Sequence, residues 1–165
     1  MEVRLSTAGI AAQVERLAAV LRRGGDRIAT AESCTGGLIA AACTSLAGSS
    51  DWFERGFVTY SNDAKSEMLG VPAALIAAHG AVSAEVACAM AEGALAYSRA
   101  AFAVSVTGIA GPGGGTPEKP VGLVHVALDV RGTVQHRRLL LPGDRALVRE
   151  IAVKSALDLV RRALD

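Results

Sequence analysis

Over residues 7–23, Ile10, Val14, Leu17, Ala18 and Leu21 recur at spacings of three and four until Gly24-Gly25 ends the pattern, which predicts an amphipathic first helix. Residues 27–31 form a short β-permissive run. The turn Thr35-Gly36-Gly37 then leads into Leu38, Ile39, Ala42, Cys43 and Leu46 at helical spacing, so the order is strand, tight turn, helix. Residues 53–60 read as a second strand. Ser61-Asn62-Asp63 then offers cap chemistry to a short helix that carries Lys65 and ends near Gly70. Pro72 suits the first turn of another short helix with Leu75 and Ile76, and Ser83 caps a longer one through Val86, Met90 and Leu95. Residues 102–107 are apolar enough for a central strand buried on both faces, and they stop at the glycine-rich stretch 108–120. From 121 to 130, Val124, Val126, Leu128 and Val130 alternate with His125 and Asp129. Arg131-Gly132 turns the chain into residues 134–141 as an antiparallel hairpin. Asp144 caps a terminal helix whose apolar stripe includes Leu147, Ile151, Leu157 and Leu159.

Helices before, between and after strands imply a three-layer α/β/α sandwich, and the hairpin makes its sheet mixed rather than purely parallel. No repeat or linker interrupts the pattern, so residues 1–165 read as one domain. A length of 165 residues with 51% hydrophobic content supports a sizeable single core. An alanine-rich apolar chain also leaves room for a helix face used in self-association, so a homo-oligomer is an expectation.

Lys plus Arg number 17 against 16 Asp plus Glu, and the net charge of +1 creates no broad field for a polyanion. The few aromatic residues do not interleave with basic ones as a base-stacking surface requires, so nucleic acid is a poor expectation and a small-molecule partner a better one. Cys34, Cys43 and Cys88 are odd in number and contain no C-x-x-C pair, which argues against disulfides and thiolate metal sites and for a reducing cytoplasm. No signal-peptide pattern and no uncharged apolar run of roughly 18 residues occurs, so no membrane span is expected. His79, His125 and His136 lack metal-ligand spacing; neither a catalytic metal nor a cofactor is expected.

Ser33 sits where a strand ends and a glycine-assisted turn starts a helix, an address at which a hydroxyl projects from a sheet edge near free backbone N–H groups. Gly36 and Gly37 let backbone approach a ligand, and a helix N-terminus can stabilise an oxyanion. The same serine, or Thr35, also suits a plain helix cap. Cys34 is a rival nucleophile without an evident histidine partner, and a cysteine there is usually just buried. Lys65 can act as a general base if burial lowers its pKa; otherwise it is an exposed helical lysine. Tyr60, five positions earlier, can reach the same pocket or pack at the core edge. Gly111, Gly113, Gly114 and Gly115 can present several N–H groups to a ligand, yet the loop from Gly108 matches neither a Walker loop nor G-x-G-x-x-G. Thr107 closes the buried strand just before that loop, a preferred place for ligand contacts in open α/β sheets. Arg145 and Arg149, near a helix start, fit either a phosphate grip or solvated charge.

Thr30-Ala-Glu-Ser-Cys-Thr-Gly-Gly37, Gly56-Phe-Val-Thr-Tyr-Ser-Asn62 with Lys65, Gly80-Ala-Val-Ser83, Thr107-Gly-Ile-Ala-Gly-Pro-Gly-Gly-Gly115, Lys119-Pro-Val-Gly122 and Gly143-Asp-Arg145 together resemble the CinA C-terminal domain family over nearly the whole chain. The resemblance implies a metal-free, cytoplasmic nicotinamide-nucleotide amidohydrolase that deamidates nicotinamide mononucleotide during pyridine-nucleotide salvage. It implies an anticodon-binding-like α/β/α sandwich with a mixed sheet. Carried onto this chain, it makes Ser33 the nucleophile, Lys65 and Tyr60 its activators and Thr107 a further member of the site. Cys34, Thr35, Gly36, Gly37, Gly108, Gly111, Gly113, Gly114 and Arg145 are then expected around the substrate. Some relatives carry an additional N-terminal nucleotide-pyrophosphatase-type domain, whose activity is not expected here. A non-catalytic nucleotide-binding or regulatory module of the competence/damage-inducible type, and a hydrolase of another small amide, are the competing readings.

Overall fold

A computed structural model describes residues 7–165. The chain runs α1 (Thr7–Gly24), β1 (Ile28–Glu32), α2 (Leu38–Thr44), a 3-10 turn at Ser49–Asp51, β2 (Phe53–Val58), α3 (Asn62–Leu69), α4 (Ala73–His79), α5 (Ala84–Ala96), β3 (Phe102–Gly108), β4 (Leu123–Val130), β5 (Thr133–Leu140) and α6 (Arg145–Leu164). The five strands form one sheet in the order β2-β1-β3-β4-β5. The pairs β1–β2 and β1–β3 are parallel, because helices cross over between those strands; β3–β4 and β4–β5 are antiparallel. The mixed three-layer α/β/α architecture is the one the hydrophobic pattern predicts.

Period-two alternation divides the sheet. Ile28 of β1, Phe102, Val104 and Val106 of β3 and Val124, Val126 and Leu128 of β4 pack with α1, α2 and α6. Ala29, Ala31 and Ala103 face α3–α5 with Leu69, Met90 and Ala94. The small residues on that second face let α5 lie close, and Gly93 closes the approach between α5 and α3. A Cβ at Gly93 would stand 2.0 Å from the carbonyl oxygen of Leu69. The alternation also decides the direction of chemistry: Thr107, in register with His125, belongs to the α5 face, whereas Glu32 belongs to the α2 face.

Several boundaries differ from the sequence pattern for local reasons. The strand β4 begins at Leu123 rather than 121, because Gly122 (φ 94°) turns the chain and the amide of Leu123 bonds back to the carbonyl of Pro120. Strand β2 stops at Val58, two residues before Tyr60. The buried stripe of α6 is Val148, Ala152, Val153, Ala156, Leu157, Leu159 and Val160; Leu147 and Ile151 lie at its half-buried margin. The 3-10 turn at Ser49–Asp51 carries no periodicity and escapes the pattern.

Candidate active site

The carboxyl ends of β1 and β3 and the residues just past β2 converge at one edge of the sheet. They frame a cleft of about 280 Å³ that contains Ser33, Cys34, Tyr60, Lys65, Thr107, Gly108, Gly111, Gly113, Gly114 and Arg145. Ten of the thirteen expected site residues therefore meet in one place. Thr35, Gly36 and Gly37 lie behind it. Thr35 is fully buried and donates its hydroxyl to Glu32 at 2.7 Å, and the two glycines shape the turn at φ 59° and 108°.

Lys65 is the strongest departure from the bland alternative. Far from being an exposed helical lysine, it is only 1% exposed. The first turn of α3, capped by Ser61 through the amide of Ala64, aims its side chain inward. Its Nζ lies 3.2 Å from Ser33 Oγ and within hydrogen-bond reach of the carbonyls of Thr59 (3.0 Å), Tyr60 (3.2 Å) and Ser61 (3.4 Å). No carboxylate touches the amine, and burial pushes its pKa below the ordinary 10.5. A neutral amine has two N–H bonds for carbonyls and one lone pair, and that lone pair can receive the Ser33 proton.

Burial pushes the neighbouring Cys34 thiol up to about 11, so it stays protonated at neutral pH. The Ser33 amide is already committed to the carbonyl of Val106 at 3.0 Å. Thr107, 1% exposed, donates its hydroxyl to the carbonyl of Ala81 at 2.9 Å, which holds the 81–82 wall of the cleft against β3. Tyr60 reaches Lys65 through its main-chain carbonyl, while its exposed phenol oxygen meets Arg145 Nη2 at 3.2 Å. The same guanidinium donates to the carbonyl of Gly111 at 2.9 Å, so Arg145 ties the glycine-rich loop to the opposite wall. Arg149 stands outside the cleft and braces the turn after Ser33, donating to the carbonyls of Cys34 (3.1 Å) and Thr35 (3.3 Å). A larger cavity of about 650 Å³ shares Ala110 and Arg145 with the cleft but contains neither Ser33 nor Lys65.

Two residues in this region escaped the sequence argument. Asn62 lines the cleft; as the residue after a Ser61 cap it read only as helix-start chemistry. Glu32 caps α2, a role assigned above to Ser33 or Thr35. The N-cap position itself is Gly37, with no side-chain cap, and Glu32 accepts the amides of Ile39 (2.8 Å) and Ala40 (3.1 Å). The amides at the start of α2 are thus occupied by a carboxylate and do not serve an oxyanion. Among the described residues no group of three or more His, Cys, Asp or Glu side chains forms a metal site, and no helix is long and apolar enough to cross a membrane.

The model of the CinA C-terminal domain matches residues 10–164, which include every part of this cleft. The chain belongs to that family. A CinA-like protein of Citrifermentans bemidjiense is 59% identical over 150 residues, covering 91% of this chain but 36% of its own length. The chain therefore spans about a third of the length of the curated CinA-like relatives it matches. Among solved structures, the competence/damage inducible protein CihA from Agrobacterium tumefaciens is 49% identical with a TM-score of 0.93, covering 99% of both chains. The competence damage-inducible protein A (ComA) from Klebsiella pneumoniae is 37% identical with a TM-score of 0.91, covering 94% of this chain and 96% of that one. The cleft lies at the carboxyl ends of the three parallel strands β2, β1 and β3.

Proposed function

We propose that this CinA-family domain is an amidohydrolase that converts nicotinamide mononucleotide to nicotinic acid mononucleotide and ammonia through an acyl-Ser33 intermediate. The observation that carries the reading is the buried Lys65 amine, 3.2 Å from Ser33 Oγ. Neutral Lys65 takes the Ser33 proton as Oγ attacks the carboxamide carbon, and the resulting ammonium hands that proton to the departing nitrogen, which leaves as ammonia. Water, deprotonated by the same amine, then attacks the ester; Lys65 returns the proton to Ser33 and the acid is released. With the amides of Ile39 and Ala40 occupied by Glu32, the oxyanion is left to backbone N–H groups nearer the cleft, in the glycine-rich loop at Gly111, Gly113 and Gly114 or directly after Ser33 at Cys34. The Tyr60 carbonyl holds the base, Thr107 holds the wall, and Arg145 at the mouth offers its charge to the phosphate. The cleft of about 280 Å³ adjoins the larger cavity at Ala110 and Arg145, so the choice between mononucleotide and dinucleotide is left to the assay.

Ammonia release measured side by side from nicotinamide mononucleotide, nicotinamide and the dinucleotide tests the substrate. Ser33→Ala should abolish release while the protein stays folded; undiminished turnover in a clean preparation would refute the nucleophile. The relatives are named for competence or damage induction and for no enzyme activity, which leaves room for a second reading, a non-catalytic nucleotide-binding or regulatory module. That reading predicts binding of the mononucleotide with no ammonia from any of the three compounds.

A further inference from the structure

Glu32 is fully buried, and each of its hydrogen-bond partners is a neutral donor: the hydroxyl of Thr35 and the amides of Ile39 and Ala40. Burying a carboxylate without a cation is expensive, and here the partial positive charge at the start of α2 offsets the cost. The N-cap position itself, Gly37, is left-handed (φ 108°) and is closed to the usual side-chain caps, which sit in extended backbone, so the cap must come from elsewhere. The acid instead stands immediately before Ser33, and its bonds reach both members of the dyad. Through its side chain it holds Thr35 and α2, fixing the turn just after Ser33. Through its carbonyl it accepts the amide of Thr59 at 2.9 Å, and the carbonyl of Thr59 in turn holds Lys65 Nζ at 3.0 Å.

We infer that Glu32 is a positioning residue for the reaction: its buried carboxylate locks the Ser33–Thr35 turn so that Ser33 Oγ stays directed at Lys65 Nζ. The inference rests on the amidohydrolase reading, and it explains why an acid rather than a neutral cap occupies the base of the turn. Glu32→Gln keeps the size of the side chain and one acceptor oxygen but sets an NH2 group against a backbone N–H of α2. Thr35→Val removes a single donor and leaves the carboxylate with both amides.

Both variants are tested in the full chain by two readouts. The first is the rate at which a fluorophosphonate labels Ser33, followed by intact mass, which reports nucleophile alignment without any substrate. The second is kcat and KM for ammonia release from nicotinamide mononucleotide. A displacement of the hydroxyl by about an ångström costs about 100-fold, so labelling and kcat should both fall by about that factor in Glu32→Gln and by about tenfold in Thr35→Val. KM should stay within about threefold, and rates are normalised to the fraction that melts cooperatively, so lost stability alone leaves them unchanged. Wild-type labelling and kcat in folded Glu32→Gln, or in Thr35→Val where the glutamine variant does not fold, overturns the inference, as does a loss confined to KM. If the wild type labels at Ser33 but releases no ammonia from the mononucleotide, the substrate assignment fails and the labelling rates alone decide the role of Glu32. If the wild type does not label at all, the dyad and the positioning role fall together.

Discussion

Lys65→Met separates a general base from a buried structural amine. Methionine keeps the length and apolar packing of the stem but has no group to take a proton, and a positioned general base contributes about 10²–10⁴ in rate, or roughly 3–5 kcal/mol of barrier. The carbonyls of Thr59 and Tyr60 lose their donors in this variant, at about 1 kcal/mol each, while removal of a desolvated amine works in the opposite sense. Stability should therefore change far less than kcat/KM. Lys65→Arg sharpens the comparison, since arginine retains donors for the carbonyls yet does not deprotonate, and it should be as inactive as methionine. The wild-type profile supplies the sign. Burial holds the Lys65 pKa below 10.5, and only the neutral amine is active, so kcat/KM should rise with pH through that lowered value and then level off. Folding follows the same direction, because the unfolded chain binds more protons than the native one between the lowered pKa and 10.5, so Lys65 makes stability increase with pH in that window. The assay is ammonia release over roughly pH 5 to 10, with melting curves on the same samples. An acid limb that survives unchanged in Lys65→Met would show that the titrating base is another group.

Gly93→Ala sets a helix-propensity gain of about 1 kcal/mol against a Cβ placed 2.0 Å from the Leu69 carbonyl oxygen, which costs about 3 kcal/mol in shifted backbone. The clash wins, and Tm should drop by roughly 4–8 °C; an unchanged or higher Tm would mean that α3 slides away freely. His125, 6% exposed and hydrogen-bonded through Nδ1 to His136 Nε2 at 2.8 Å, has its pKa lowered to about 4 by burial and then by His136. The unfolded chain takes up the proton first as pH falls from 6.5, so up to about 3 kcal/mol of stability should be lost by pH 4. Denaturant midpoints at those two pH values, compared with His125→Gln, which should flatten the difference, check it.

The fold was legible because its elements are punctuated by residues with one mechanism each. Ser61, Ser83 and Asp144 all cap the helices expected of them, and Arg131-Gly132 turns the hairpin as expected, its second strand running Thr133–Leu140 rather than 134–141 because Val130 pairs directly with Thr133. Helix α6 was read less well, since alanines at 152 and 156 bury a face that a search for large side chains assigns to Leu147 and Ile151. In the site, Ser33, Lys65 and Thr107 were nameable as types, but only strand order brings residues separated by 32 positions within a hydrogen bond. Burial of Lys65 is a tertiary property with no local signature. Glu32 was hidden for a different reason: it caps α2 from six positions before Leu38, outside the spacing at which a cap is sought, and the expected strand ended at 31, one residue short of it, whereas β1 runs to Glu32 and is buried throughout.

Cys34 lies beside the proposed nucleophile with its thiol pushed up to about 11, Cys43 is pushed up to about 12, and burial raises Cys88 as well. Peroxide and alkylating electrophiles react with thiolate, and at neutral pH these three sulfurs supply almost none. A hydroxyl paired with an amine gives such reagents nothing to oxidise. On the proposed chemistry, the cleft therefore relies on no thiolate that peroxide could consume.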